Sequence, residues 1–459
     1  MDPASRAGQR PASTDAPIFA GQGRLARPGS SPSSASVRLD AGRFEVAIAG
    51  QPPIMADYRD ITTLLIGQGT LLLVLGEGDG SLRVVLEQLG QRLGTLVAQL
   101  RERRTRQRLG DAFVQLGDDP LPLLEYRLGD QHGVALLALH AWGAELVPVD
   151  DAVRPMRIRR GEMGSVEADP AGGLVRVTLP AGTLELPGLG AAATAWGQRL
   201  GELRDGALRD AATLVGGLVP DAPFGSRNLL GRLLVDGRPA SVADLGAELA
   251  RIDGAVLTEP TFAASFRDLL ARGGADVRWF ALAPERPGSD TRRAWYLVAL
   301  PGNLIALELV SEGAHATYLF RVAPRSTYSG EGPAAIAEQH AAAARDISAA
   351  LIDARFLREP MALPVAQLAS ARYLRYRLAL AALPGLAAAR RRFVARLVHD
   401  DPTRWAKALD DLIAWHTTAR DEAAEWPGRA TEEAAVTAAG ADQSEDAGDG
   451  DQEATNASL

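Results

Sequence analysis

The strongest constraint on this chain is a plan that it uses twice. Residues 60–116 read as short strands, then Leu89-Gly90, then a long helix, and residues 162–215 repeat the plan with Leu189-Gly190 at the joint. Leu86 and Leu186 each stand three residues before their joint, and Leu96, Leu100 and Arg104 answer to Trp196, Leu200 and Arg204 at an offset of 100. The length differences fall in Gly-rich turns, where insertions are tolerated. A fixed offset this long implies two copies of a domain, since solenoid repeats are far shorter.

Within the first copy, Phe44–Ala49 alternates like a half-buried strand, and Ile61–Ile66, Leu71–Leu75 and Leu82–Leu86 follow across short Gly-rich connections. Connections of that length suit antiparallel hairpins and are too short for parallel strands. The helix after Leu89 carries Leu93, Leu96, Val97 and Leu100 at helical spacing, and a second stripe (Leu109, Ala112, Phe113, Leu116) starts half a turn away. Such a helix is expected to serve two cores. The second helix carries Trp196, Leu200, Leu203, Ala207, Ala211 and Leu214 on one face, and Trp196, Leu200 and Leu203 are expected to be buried.

The rest of the chain divides by composition. Residues 1–36 lack apolar periodicity and are expected to be disordered. The two copies occupy 37–117 and 118–219, and 220–275 reads as helical linker. Residues 276–358 hold a third strand group followed by a helix, read as a third copy without the Leu-Gly joint. Residues 359–429 read as helical and arginine-rich, and 430–459 as an acidic, disordered tail. The expected class is therefore α+β: two or three small antiparallel sheets, each capped by a C-terminal amphipathic helix, plus a helical C-terminal region.

A small antiparallel sheet capped by one C-terminal helix resembles the pleckstrin-homology-like superfold. The resemblance rests on element order and on the repeat, over residues 37–116 and 130–216 and, for the third group, 277–355. It implies adaptor roles, with phosphoinositides or peptides as ligands. It carries no site residue over, because the basic lysine signature of lipid-binding members is absent.

Composition narrows the chemistry. With no cysteine among 459 residues, thiolate catalysis, disulfides and cysteine-held metals are excluded. Lys407 is the single lysine and lies between alanines, so no P-loop is present. Arginine in its place is the mark of GC-rich coding, and the expected source is a high-GC bacterium. The net charge of −8 comes from the end of the chain: from Ala430 on there are eight acids and no bases, which leaves the body near zero. No global attraction to nucleic acid is expected of such a body. The longest apolar runs are strand-sized, so the default expectation is a cytoplasmic soluble protein.

Each local motif has a structural explanation. Gly188-Leu189-Gly190-Ala191-Ala192-Ala193 fits a dinucleotide fingerprint, but Gln88 fills the matching place in the first copy and no parallel strand returns. Small residues that let the helix start close to the sheet explain it better. Arg101, Arg104 and Arg108 share one helical face and are the candidate anion- or phosphate-binding residues. Arg390, Arg391, Arg392 and Arg396 form a second cluster. The six histidines show no ligand spacing, the paired acids read as caps and turns, and His140, Ser165 and Asp169 have no spacing that argues for a triad. No catalytic residue, cofactor or metal site is assigned. The leading expectation is a non-catalytic adaptor with a protein or peptide partner, docked between a sheet edge and the capping helix. The alternatives are a peripheral binder of anionic membranes and a hydrolase of unrecognised type.

Overall fold

The computed structural model describes residues 17–26, 31–76, 81–111, 114–117, 119–258, 260–273, 277–300, 302–309, 315–323, 333–354, 359–398 and 402–418. The chain is α+β with antiparallel sheets. It divides into two compact units. One runs through residue 156 apart from 141–143 and adds 186–188, and the other holds the remainder.

The first sheet has seven strands: β1 (Phe19–Ala26), β2 (Ser33–Leu39), β3 (Arg43–Ile48), β4 (Ile54–Asp57), β5 (Ile61–Ile66), β6 (Thr70–Leu75) and β7 (Leu82–Glu87). Their order is β4-β3-β2-β1-β7-β6-β5, so β1 joins two meanders by pairing with β2 and with β7. Helix α1 (Arg92–Asp111) follows. Its Leu96, Val97 and Leu100 close the core made by Val37, Phe44, Leu71 and Leu86, while Leu109 enters a separate cluster with Val114 and Ala138. The helix thus serves two cores. The expectation of disorder through residue 36 is corrected by β1 and the start of β2. The inward positions of β1 are Phe19, Gly21, Gly23 and Leu25, so two glycines hide the alternation. Gly23 is required there, because a Cβ would sit 2.9 Å from the Glu87 carbonyl oxygen.

The second sheet repeats the first strand for strand. It comprises β8 (Leu123–Leu128), β9 (Gln131–His140), β10 (Gly143–Pro148), β11 (Met156–Arg159), β12 (Val166–Asp169), β13 (Leu174–Leu179) and β14 (Gly182–Leu186). Their order is β11-β10-β9-β8-β14-β13-β12, and helix α2 (Ala193–Leu218) follows. The apolar face of α2 differs from expectation at its start. Leu200 is buried, but Trp196 and Leu203 are half-buried, and Gly197 faces the sheet. The approach is so close that a Cβ on Gly197 would lie 2.7 Å from that of Ala168, which leaves no room for an indole.

Both joints turn on left-handed backbone. Gln88 and Gly90 have φ of 57°, and Gly188 and Gly190 have φ of 76° and 53°. The glycines of the fingerprint-like run therefore make a chain reversal ahead of the helix. Gly90→Ala and Gly190→Ala are each expected to lose about 1–2 kcal/mol, since a Cβ is strained at such φ. Gln88→Gly is expected to cost nothing. Urea midpoints measure both, and a Gly90→Ala midpoint equal to that of the parent would refute the assignment.

The third sheet has a different design, which corrects the third-copy reading. Strands β15 (Ala240–Ser241), β16 (Arg278–Pro284), β17 (Arg292–Leu300), β18 (Asn303–Leu309), β19 (His315–Arg321) and β20 (Phe393–Val398) lie in plain sequential order. No strand joins two meanders as β1 and β8 do. Nearly every described residue of β17 and β18 is buried, because helices cover both faces. The helices are α3 (Phe224–Leu233), α4 (Val242–Leu245), α5 (Leu249–Val256), α6 (Pro260–Gly273), α7 (Pro333–Ala354), α8 (Glu359–Ala362), α9 (Val365–Leu368), α10 (Leu374–Ala382), α11 (Pro384–Arg392) and α12 (Pro402–Thr418). One face packs Tyr296, Val298 and Ile305 against Leu230, Ile252, Phe262, Phe266 and Trp405. The stretch expected as linker is thus half of a core. On the other face, Trp295 donates its indole N–H to Ser348 of α7 at 3.0 Å. The region expected to be wholly helical also supplies β20, paired with β19. The acidic tail, 430–459, lies outside the described residues.

Candidate functional site

Adaptors of the expected kind bind where an edge strand meets the capping helix. In the first copy that place is β5 beside α1, and two of the three candidate arginines, Arg104 and Arg108, bond to it. Arg104 donates to Asp151 Oδ1 at 2.7 Å and to the Thr62 carbonyl at 2.9 Å, and Arg108 donates to the Ile61 carbonyl at 2.6 Å. Asp151 in turn accepts from the Leu64 amide at 3.1 Å, and Gln107 accepts from the Arg59 amide at 2.8 Å. Burial holds the Arg101 guanidinium below its usual pKa, with Asp151 opposing and Arg104 adding to the shift. Arg104 and Arg108, two of the three residues read as an anion platform, therefore close a sheet edge. Unpaired edges invite association with other chains, and charged side chains are one way to blunt them.

The second copy lacks this seal. At the offset of 100, Arg204 pairs with its neighbour Asp205 at 2.6 Å, Leu208 is exposed, and Gly201 stands in place of Arg101. A Cβ on Gly201 would meet nothing within 4 Å. β12 is the outer strand, and Glu167, Ala168 and Asp169 are exposed. The Thr178 amide bonds to Ser165, and Gly164 bonds to Thr178, on the β13 side. By antiparallel alternation the backbone groups of Val166 and Ala168 turn outward. No partner bonds to them among the described residues.

The turn before each edge strand differs as well. In the first copy it opens on Tyr58, which is buried and donates to the Asp40 carbonyl at 2.6 Å; burial pushes its phenol up to about 12. In the second copy the same position is Arg160, also buried, paired with Asp210 at 2.7 Å and Asp236 at 3.1 Å, with Trp142 stacked 5.2 Å away. A cavity of about 310 Å³ opens beside this turn. Its walls come from Arg159, Gly161 and Glu162, from Val235–Arg238, and from Arg345–Ile352 of α7.

The remaining sequence candidates are not brought together. Ser165 Oγ lies 2.9 Å from Thr178 Oγ1, and Asp169 accepts from the Gly172 amide at 2.9 Å. His140 Nε2 lies 3.5 Å from Glu145. Arg390 donates to the Leu363 carbonyl, Arg392 donates to the Val322 carbonyl, and Arg396 stacks on Tyr318. Among the described residues no three metal-ligating side chains cluster, and no helix is long and apolar enough to cross a membrane.

The sequence matches no protein-family model and no curated protein. The residues around the cavity were not singled out from the sequence. The one local signal was Arg157, Arg159 and Arg160 within four positions, a density equal to that of the α1 arginines.

Proposed function

We propose that this chain is a non-catalytic adaptor with two pleckstrin-homology-like units, and that its second unit takes an extended peptide along β12 beside α2. The observation that carries this reading is the contrast between two copies of one strand order, with one edge sealed by Arg104, Arg108 and Asp151 and the other left open. Strand addition would satisfy the outward groups of Val166 and Ala168, and the gap at Gly201 gives a side chain room beside the helix. The anionic-membrane alternative draws less support, because Arg104 and Arg108 already have internal partners.

The test starts from peptides selected on the full-length chain and follows their binding by fluorescence anisotropy. Ala168→Pro removes an outward amide while sparing the bonds to β13, so binding is expected to fall at least about tenfold. Backbone pairing and apolar burial resist screening, so raising salt from about 0.1 to 0.5 M should weaken binding only modestly. Binding that collapses with salt, or anionic vesicles captured in place of peptides, would hand the function to the membrane reading.

A further inference from the structure

The cavity beside Arg160 has the features of a built site. Asp236 holds a left-handed backbone at φ 51°, unusual for a residue other than glycine, and it is buried. Such conformations cost about 1–3 kcal/mol and persist where the surroundings impose them, often at ligand sites. Its neighbour Gly161 is required by contact, since a Cβ there would lie 2.4 Å from Asp236 Cβ. The volume of about 310 Å³ falls at the lower end of the range for small-ligand sites, about 300–1,000 Å³.

The wall carries three arginines (Arg159, Arg238, Arg345) and three carboxylates (Glu162, Asp236, Asp346), but they are not all paired with one another. Arg159 is held by Asp353 at 2.7 Å and by the Ala349 carbonyl, Asp236 by Arg160, and Asp346 by Arg392 at 3.6 Å. Glu162 lies 4.0 Å from Arg159, which leaves Arg238 and Arg345, both exposed, as the wall arginines with no ion pair among the described residues. Arg238 makes one 3.3 Å bond to the Gly161 carbonyl, and Arg345 has no partner among the described residues. Glu162 accepts from the Arg159 amide at 3.4 Å, and burial raises its pKa against the pull of Arg159. Ser348, whose Oγ accepts from the Trp295 indole, keeps a hydroxyl proton to donate.

We propose that this cavity binds a small molecule carrying a carboxylate or phosphate group, which Arg238 and Arg345 receive, with Ser348 as a further hydrogen-bonding group. Two guanidinium groups on one wall without a carboxylate partner suit an added oxyanion, and the planar fork of arginine fits either a carboxylate or a phosphate. This site is separate in kind from the strand-addition edge, and its failure would leave the adaptor reading standing.

The experiment is calorimetric titration of the full chain at constant chloride with inorganic phosphate and, separately, with malonate. Saturable binding of at least one probe is expected, and Arg238→Ala and Arg345→Ala should each weaken it about tenfold or more. Both side chains are exposed, so the unliganded variants should melt like the parent. Arg251→Ala, on an arginine outside the cavity, should leave binding unchanged. Preference for phosphate or malonate assigns the source of the oxyanion. The proposal is overturned if neither probe saturates below about 10 mM, or if the cavity variants bind as tightly as the parent.

Discussion

Arg293→Met is expected to destabilise the protein by about 3–5 kcal/mol, the usual result of breaking a buried ion pair from one side. Arg293 in β17 is 1% exposed and Glu308 in β18 is 1% exposed. The guanidinium donates to Glu308 at 2.7 Å and to the Leu351 carbonyl of α7 at 2.8 Å, and Tyr318 donates to the other carboxylate oxygen at 3.3 Å. Without the arginine, the buried carboxylate loses its 2.7 Å charge-assisted bond, in a layer that α7 shields from water. The melting temperature should fall by on the order of 10 °C. The double variant Arg293→Met with Glu308→Leu should recover most of the loss, because two apolar chains of similar volume replace a pair whose desolvation nearly cancels its attraction. A single variant that loses less than about 1 kcal/mol would mean that water reaches the pair.

The contrast between copies explains how much of the architecture could be read in advance. The repeat was legible because its marks are positional: the Leu-Gly joints, and helical stripes in phase with each other. Strand β1 was not, since glycines fill two of its four inward positions and leave no alternation to see. The third sheet was visible as strands, but burial on both faces makes β17 and β18 continuous apolar runs that say nothing of strand order. That β20 returns from residue 393 to complete it has no local signature at all.

The site shows the same division. Helical spacing put Arg101, Arg104 and Arg108 on one face correctly, but spacing cannot say what that face meets. Asp151 and the Thr62 carbonyl, 47 and 42 residues away from Arg104, decide that it is a seal. The cavity is further from reach, since its walls come from three segments near residues 160, 236 and 349. Their meeting depends on the Asp236 backbone conformation and on Gly161, and neither residue stands out among the 47 glycines and the many turn-forming aspartates.

Arg104→Ala should separate the two copies most clearly. The change removes a charge-assisted bond to Asp151 and the bond to the Thr62 carbonyl, with both side chains largely shielded. A loss of about 2 kcal/mol is expected, at the middle of the range for hydrogen bonds between charged groups. Arg204→Ala, at the same place in the second copy, should stay within about 0.5 kcal/mol, because its partner is the exposed neighbour Asp205. A second effect belongs to the first copy alone. With the seal gone, the β5 edge is open beside Leu65 and Ile66, which are 54% and 47% exposed. Open edges next to exposed apolar side chains pair with other chains, so the Arg104→Ala protein should self-associate with rising concentration. Light scattering across a dilution series reads this, together with urea midpoints for all variants. Arg104→Lys, which keeps the charge but loses the planar fork, should fall between parent and Arg104→Ala on both measures. Equal losses at 104 and 204 would show that the arginines act through helix stability, and a monomeric Arg104→Ala protein would show that Arg108 and Asp151 close the edge without it.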